Sequence, residues 1–233
     1  MHNLLKKNKK IICCAEASEL DFFLKKIKIK NKKQLFTNGY QSLLYCKYKK
    51  EFFYLLYTGV GKTNAASSLS YVLSLHPEIN QIINCGPAGS VFDSKIGEQY
   101  LIEKCNYYDV DITTLPNYKL GQLPNENVYF DTTNLYKNIE TLNLKKANCA
   151  TADRFAKKCD AKIIENNFEN KPYLVDMECA ALAHVSLLFS KPFLAVKVVS
   201  DVIINENNFE YIESKKIWEK SCADVLLRIL EVL

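Results

Sequence analysis

Pro192–Ile204 reads PFLAVKVVSDVII. Between Phe193 and Val199 only Lys197 interrupts the apolar run, and polar Ser200 and Asp201 end it. The run does not alternate, so it predicts a strand covered on both faces, as in a parallel or mixed sheet. A bilayer-spanning helix needs about 20 apolar residues. The stretch is too short for that and is broken twice by charge.

The same pattern recurs outward from this strand. KIICCA (10–15), QIINC (81–85), residues 97–103 and KKANCA (145–150) read as further strands, and residues 41–48 and 52–58 flank the charged KYKKE (47–51) as a hairpin. ELDFFLKKIKI (19–29), NAASSLSYVLSL (64–75), residues 161–167 and residues 209–233 carry helical spacing. VDMECAALAHV (175–185) predicts another helix, with Met177, Ala180, Ala181, His184, Val185 and Leu188 on one stripe facing the sheet. Asp176 and Glu178 would fall in its first turn, where the helix dipole favours acids and where Asp176 can serve as a cap. Strands alternating with helices predict one α/β domain over residues 1–233, a three-layer α/β/α sandwich around a mixed, mostly parallel twisted sheet. No repeat, low-complexity segment or linker divides it, and NENVYFDTTN (125–134) reads as a flexible loop.

Composition narrows the function classes. The chain has 233 residues, 48% hydrophobic and 24% charged, with a net charge of +5. The basic excess sits early, at Lys6, Lys7, Lys9, Lys10, Lys25, Lys26, Lys28, Lys30, Lys32 and Lys33, and reads as a solvated face rather than a nucleic-acid or membrane surface. MHNLLKKNKK lacks the apolar stretch of a signal peptide, so the expected location is the cytoplasm. The nine cysteines form no C-x-x-C pair, which argues against a disulfide framework and against zinc. His2 and His76 lie at the chain start and in a turn, and His184 reads as a core histidine.

In open α/β sheets, sites form at the carboxyl ends of strands. Four such ends carry polar or Gly-rich signals here: Glu19 after KIICCA, Gly59-Val60-Gly61 after YLLYT, Gly86-Pro87-Ala88-Gly89 after QIINC, and Ser200-Asp201 after FLAVKVV. These and the Asp176 turn are predicted to converge. GVGKT is not a phosphate loop, because G-x-x-x-x-G-K-[ST] would require glycine where Leu56 stands. Three carboxylates in one cleft can divide acid and base work. Asp201, after an apolar strand, is the candidate proton donor. Glu19, in a more open loop, is the candidate anion that holds a water, and Glu178 suits a pair of hydroxyls. That division matches cleavage of a nucleoside C–N bond through an oxocarbenium-like state.

With those residues in view, the chain resembles the nucleoside phosphorylase/hydrolase superfamily, and within it the methylthioadenosine/S-adenosylhomocysteine nucleosidase family. TGVGKTNAASS, INCGPAGS, YYDVDIT with GQLP, VDMECAALAHV and VKVVSDV are similar to that family's segments in the same order, over nearly the whole chain. The resemblance implies a homodimer without metal or cofactor that hydrolyses 5′-substituted adenosines, such as methylthioadenosine and S-adenosylhomocysteine, with 5′-deoxyadenosine or aminodeoxyfutalosine as further substrates. It implies Asp201 as general acid at purine N7 and reader of the 6-amino group, and Glu19 as the residue activating water. It implies Glu178 on the ribose hydroxyls, Met177 under the sugar, Phe155 stacked on the base and Ala156 at the purine edge. Ser200, Thr58, Gly59, Ala88, Gly89, Asp176 and Lys197 fall on matching binding segments, and Ile112, Leu115 and Pro124 would line the 5′ pocket of a neighbouring subunit. Thr58, Lys197, Glu16, Asp176 and Leu115 stand where the family has Ser, Arg, Met, Glu and an aromatic, and Pro87 and Ser90 alter its glycine turn. The alternatives are a purine or uridine phosphorylase, disfavoured by only two arginines, Arg154 and Arg228, and a non-catalytic nucleoside-binding protein on the same fold.

Overall fold

Strand β1 (Lys9–Cys14) sends Ile11 and Cys13 to one side of a sheet and Ile12 and Cys14 to the other, and all four are buried. This is the two-residue period of a strand covered on both faces. A computed structural model describes residues 9–36, 40–132, 138–205 and 210–233. His2, Lys6, Lys7, Thr133, Asn134 and Phe209, named above, lie outside the described residues.

After β1 come a 3-10 turn (Ala17–Leu20), α1 (Asp21–Leu24), β2 (Lys28–Gln34), β3 (Ser42–Tyr48), β4 (Glu51–Tyr57) and α2 (Lys62–Leu75). Next are β5 (Ile79–Ser90), β6 (Gln99–Tyr107), the two-residue β7 (Phe130–Asp131), a second 3-10 turn (Ile139–Leu142) and β8 (Lys145–Thr151). α3 (Lys158–Asn167), β9 (Tyr173–Asp176), α4 (Cys179–Leu188), β10 (Phe193–Val202), a short 3-10 turn (Ile203–Asn205), α5 (Glu210–Glu213) and α6 (Lys215–Val232) complete the order.

The predicted α/β architecture holds, with a mixed sheet. Its central run β4–β1–β5–β10 is parallel. β5 pairs with β1, β10 and β9, and β10 continues through β6 and β8 back to β9, so five strands close on themselves into a ring. α2 and α4 cover one side, burying Ala65, Leu69 and Val72 with Ala180, Leu182 and Val185. α6 covers the other, burying Trp218, Cys222, Val225, Leu226 and Ile229 against Ile12, Ile83 and Leu194.

Several expectations need correction. GPAGS does not end β5 but belongs to it, because Gly86–Ser90 keep pairing with β10 and Gly89–Ser90 also pair with β9. The helix expected over 19–29 is only one short turn of each kind. Lys28–Gln34 instead forms the exposed edge strand β2, paired with β3. Its Lys28, Lys30, Lys32 and Lys33 face solvent along a sheet edge, where charge discourages pairing with other chains. The 175–185 helix begins only at Cys179. Met177 therefore lies outside it, and Leu188 at the far end of the stripe is 68% exposed.

The structure also gives a stability expectation. Leu226 is fully buried in the α6 face of the core. Leu226→Ala should destabilise the chain by about 2–5 kcal/mol through lost burial and a residual cavity, read as a lower midpoint in urea unfolding at unchanged slope.

Candidate active site

The predicted convergence occurs. A cavity of about 260 Å3 opens at the carboxyl ends of the central strands. Its wall joins Glu16 and Glu19 after β1, Val60 after β4, Pro87–Gly89 in β5, Val175–Glu178 at the end of β9, and Ser200–Asp201 in β10. Arg154–Ala156 and Tyr211 complete the rim from the loop after β8 and from α5. The parallel β4, β1, β5 and β10 present their carboxyl ends on one side, and β9, antiparallel to β5 and paired with it at Gly89, brings Val175–Glu178 to the same hollow.

Asp201 takes a hydrogen bond on Oδ1 from the Ser200 hydroxyl at 2.6 Å. Burial raises its carboxyl above the ordinary range, with Ser200 opposing and Glu210 adding to the shift. Its Oδ2 lies over Gly89, where an added Cβ would stand 3.1 Å from that oxygen and 2.8 Å from Ile203 Cδ1. A glycine is needed there for this close approach.

Glu19 corrects the expectation of an open loop. The turn Ala17–Leu20 folds its side chain inward, leaving the residue 7% exposed, and Oε2 accepts a 3.1 Å bond from the Ala15 amide. Burial pushes its carboxyl up to about 7, while the nearby Lys197 ammonium and the Ala15 amide pull the other way. At neutral pH it is thus divided between ionised and neutral forms rather than fully ionised.

Glu178 stands immediately before α4 rather than within it. Its Oε1 accepts a 2.7 Å bond from the Gly61 amide. Burial raises its pKa, and the Asp176 charge adds to the shift.

Asp176 closes β9 and is fully engaged. Oδ1 accepts from the Thr151 hydroxyl at 2.6 Å, and Oδ2 accepts from the Cys179 amide at 2.8 Å and pairs with Lys197 Nζ at 2.7 Å. It is not the N-cap of α4, a position Glu178 occupies, but it holds the helix's first amide from two residues further back and also anchors a buried ion pair. Ligand-capable atoms of Cys149, Asp176 and Cys179 lie within 4.8 Å of one another. The Lys197 ammonium already neutralises that carboxylate.

Of the positions the sequence singled out, Glu19, Ala88, Gly89, Phe155, Ala156, Asp176, Met177, Glu178, Ser200 and Asp201 line the cavity. Thr58, Gly59 and Lys197 do not. Thr58 is buried with its hydroxyl 3.2 Å from the Cys14 carbonyl, the Gly59 amide bonds the Ala15 carbonyl, and Lys197 lies behind Asp176. Ile112, Leu115 and Pro124 sit on the segment between β6 and β7, outside this chain's cavity, with Leu115 52% exposed. His184 is the core histidine expected, stacked on Phe130 and 3.3 Å from the Tyr107 hydroxyl.

Sequence reasoning missed Arg154 and Tyr211. Arg154 adjoins Phe155 in TADRF and pairs with Asp160 at 2.6 Å. Tyr211 stacks on Trp218 and meets Phe155 edge-on, with ring centroids 5.3 and 5.5 Å away. No motif flags it, because α5 reaches the cavity only through tertiary packing.

The chain is similar to known proteins over most of its length. The chain is 29% identical over 207 residues to a 5′-methylthioadenosine/S-adenosylhomocysteine nucleosidase of Bacillus licheniformis, covering 84% of this chain and 85% of the relative. A Bacillus cereus protein of the same name is 30% identical over 190 residues, covering 77% of this chain and 80% of the relative. Among solved structures, the S-adenosylhomocysteine nucleosidase of Streptococcus pyogenes in complex with 5-methylthiotubericidin superposes with a TM-score of 0.84 at 26% identity, covering 97% of this chain and 98% of that one. A Colwellia psychrerythraea nucleosidase in complex with adenine gives 0.83 at 25% identity, covering 97% and 96%. The sequence profile of the Phosphorylase superfamily matches residues 9–231, and with these relatives it establishes that the chain belongs to that superfamily, in the 5′-methylthioadenosine/S-adenosylhomocysteine nucleosidase family.

Proposed function

We propose that the chain is a nucleosidase that hydrolyses the N-glycosidic bond of 5′-substituted adenosines, releasing adenine and the free ribose derivative. The observation that carries this reading is the meeting of Asp201, Glu19 and Glu178 on the wall of one cavity, with each carboxyl in a different setting.

The substrate's base lies toward Asp201 and Phe155 and its sugar toward Met177 and Glu178. Phe155, 65% exposed and braced by Tyr211, closes on the purine face, and Ala156 meets the purine edge. Ser200 donates to Asp201 Oδ1, which leaves Oδ2 to carry the proton of the neutral carboxyl. Asp201 gives that proton to N7 as the C–N bond breaks and the bond's electron pair passes to the base. Positive charge develops across C1′ and the ring oxygen. Ionised Glu19 orients a water, takes one of its protons and directs the oxygen to C1′. Glu178 accepts hydrogen bonds from the ribose hydroxyls. The Gly61 amide already on Oε1 favours its ionised form once substrate is bound. Lys197 supports Glu19 and Asp176 from behind the wall.

Two further readings rest on the same assignment. Ile112, Leu115 and Pro124 lie outside this chain's own cavity, which suits a homodimer in which they complete the neighbour's 5′ pocket. The nine cysteines are all unpaired, and no described helix is long and apolar enough to cross a membrane. The unpaired thiols suit the cytoplasm, and the one continuous sheet suits a single domain over residues 1–233.

The direct test is incubation with methylthioadenosine in phosphate-free buffer, with adenine followed by chromatography. Release is expected without phosphate; strict dependence on phosphate would reject hydrolysis. Asp201→Asn should lower kcat by about 10²–10⁴-fold, the usual weight of a general acid. Glu178→Gln should lower kcat/KM roughly 10- to 100-fold, the weight of hydrogen bonds to a charged group; an unchanged value would remove the diol role. Because Glu19 must be ionised and burial raises its carboxyl to about 7, kcat/KM should climb as pH rises through about 7, read from a pH–rate profile with methylthioadenosine.

A further inference from the structure

The segment GVGKT, which fails as a phosphate loop, is the start of a closed set of contacts next in sequence to the cavity-lining residues Val60 and Arg154. Lys62 Nζ bonds both oxygens of Asp109, at 2.6 and 2.7 Å. Asp109 Oδ2 accepts a 2.9 Å bond from the Asp153 amide. Asp153 Oδ1 accepts a 2.7 Å bond from the Lys62 amide, and its Oδ2 lies 3.9 Å from Lys62 Nζ. The ammonium also rests over the Tyr107 ring at 5.3 Å. The Lys62 and Asp109 side chains are 21% and 14% exposed, so the pair is partly shielded from solvent.

Two corners of this arrangement lie next in sequence to cavity-lining segments, and the third leads away from the cavity. Lys62 follows Gly61, whose amide holds Glu178. Gly61 has φ +96°, and an added Cβ would stand 3.0 Å from Asp153 Oδ1; glycine lets the α2 start and the Asp153 loop approach. Asp153 precedes Arg154, Phe155 and Ala156, which form the rim over the base end. Asp109 begins the segment that carries Ile112, Leu115 and Pro124. Nothing in these contacts is needed to bury a core: α2 already packs through Ala65, Leu69 and Val72.

We infer that Lys62, Asp109 and Asp153 form a clasp that positions the 153–156 loop over the base, making all three positioning residues for the nucleosidase reaction proposed above, on which this inference rests. The clasp acts on substrate capture. It fixes where Phe155 and Ala156 stand when the purine enters, and it ties their loop to the same turn that orients Glu178. It does not touch the reacting atoms. Losing it should therefore raise KM more than it lowers kcat.

The test is steady-state kinetics with methylthioadenosine, beside calorimetric titration with adenine. Lys62→Met should raise KM by at least about fivefold and weaken adenine binding comparably, with kcat within about threefold of wild type. Lys62→Arg, which keeps the charge and can bond both Asp109 oxygens, should restore both values to within about twofold. A KM and adenine affinity within about twofold of wild type in folded Lys62→Met would overturn the clasp, as would equal impairment in the Arg and Met variants. Should Lys62→Met fail to fold, Asp109→Asn carries the same comparison. Absence of adenine release from the wild type would reject the functional reading instead, and the adenine titration would then decide the clasp by itself.

Discussion

The contact between Lys197 and Asp176 organises the floor of this molecule. Two opposite charges lie 2.7 Å apart with 2% of each side chain exposed. Burying either alone would be strongly unfavourable, and together they hold only because the remaining oxygen valences are also met. Thr151 from β8 and the Cys179 amide from α4 meet them. Thr151 in turn accepts from the Ala180 amide. One carboxylate thus fastens the ends of β8 and β9 and the middle of β10 to the start of α4, the elements that present Glu178 and Asp201. The Lys-for-Arg and Asp-for-Glu departures from the family pattern fall on the two members of this pair. Both residues are chemically sufficient to keep the pair closed, although an ammonium lacks the planar fork of a guanidinium.

Around that floor, burial does different work at each carboxyl. Glu19, Glu178 and Asp201 are all raised by loss of water, but their partners differ. Asp201 has one hydroxyl donor and a neighbouring acid, a setting that suits holding a proton. Glu19 has a backbone donor and lies within reach of the Lys197 charge, a setting that suits losing one. Glu178 has a single backbone donor and an adjacent anion, so it gains most from hydroxyl donors brought by a ligand. Burial is the largest cause of all three shifts, and the hydrogen-bond partners and neighbouring charges are what distinguish the three settings.

Much of this was legible in the sequence. Apolar runs ending in polar residues located β1, β5 and β10 and the hollow at their carboxyl ends, because those runs record burial on both faces directly. What escaped was set by pairing rather than by periodicity. GPAGS has the composition of a turn, yet it is held in β5 by strands on either side. Lys28–Gln34 has no apolar face at all and is a strand only because β3 offers it an edge. Glu19 looked solvated because a 3-10 turn leaves no mark in the spacing of apolar residues, and Tyr211 was invisible because its place on the rim depends on stacking against Trp218. Lys197 was placed on the binding segment by resemblance, whereas its length and charge direct it to Asp176 behind the wall.

Eight of the nine thiols are buried, and Cys159 alone is exposed, in the first turn of α3 just after the loop that carries Phe155. Maleimide chemistry in the folded state would thus be confined to that side chain, giving a native attachment point for a fluorophore or spin probe beside the cavity rim, with no cysteine to engineer in or out.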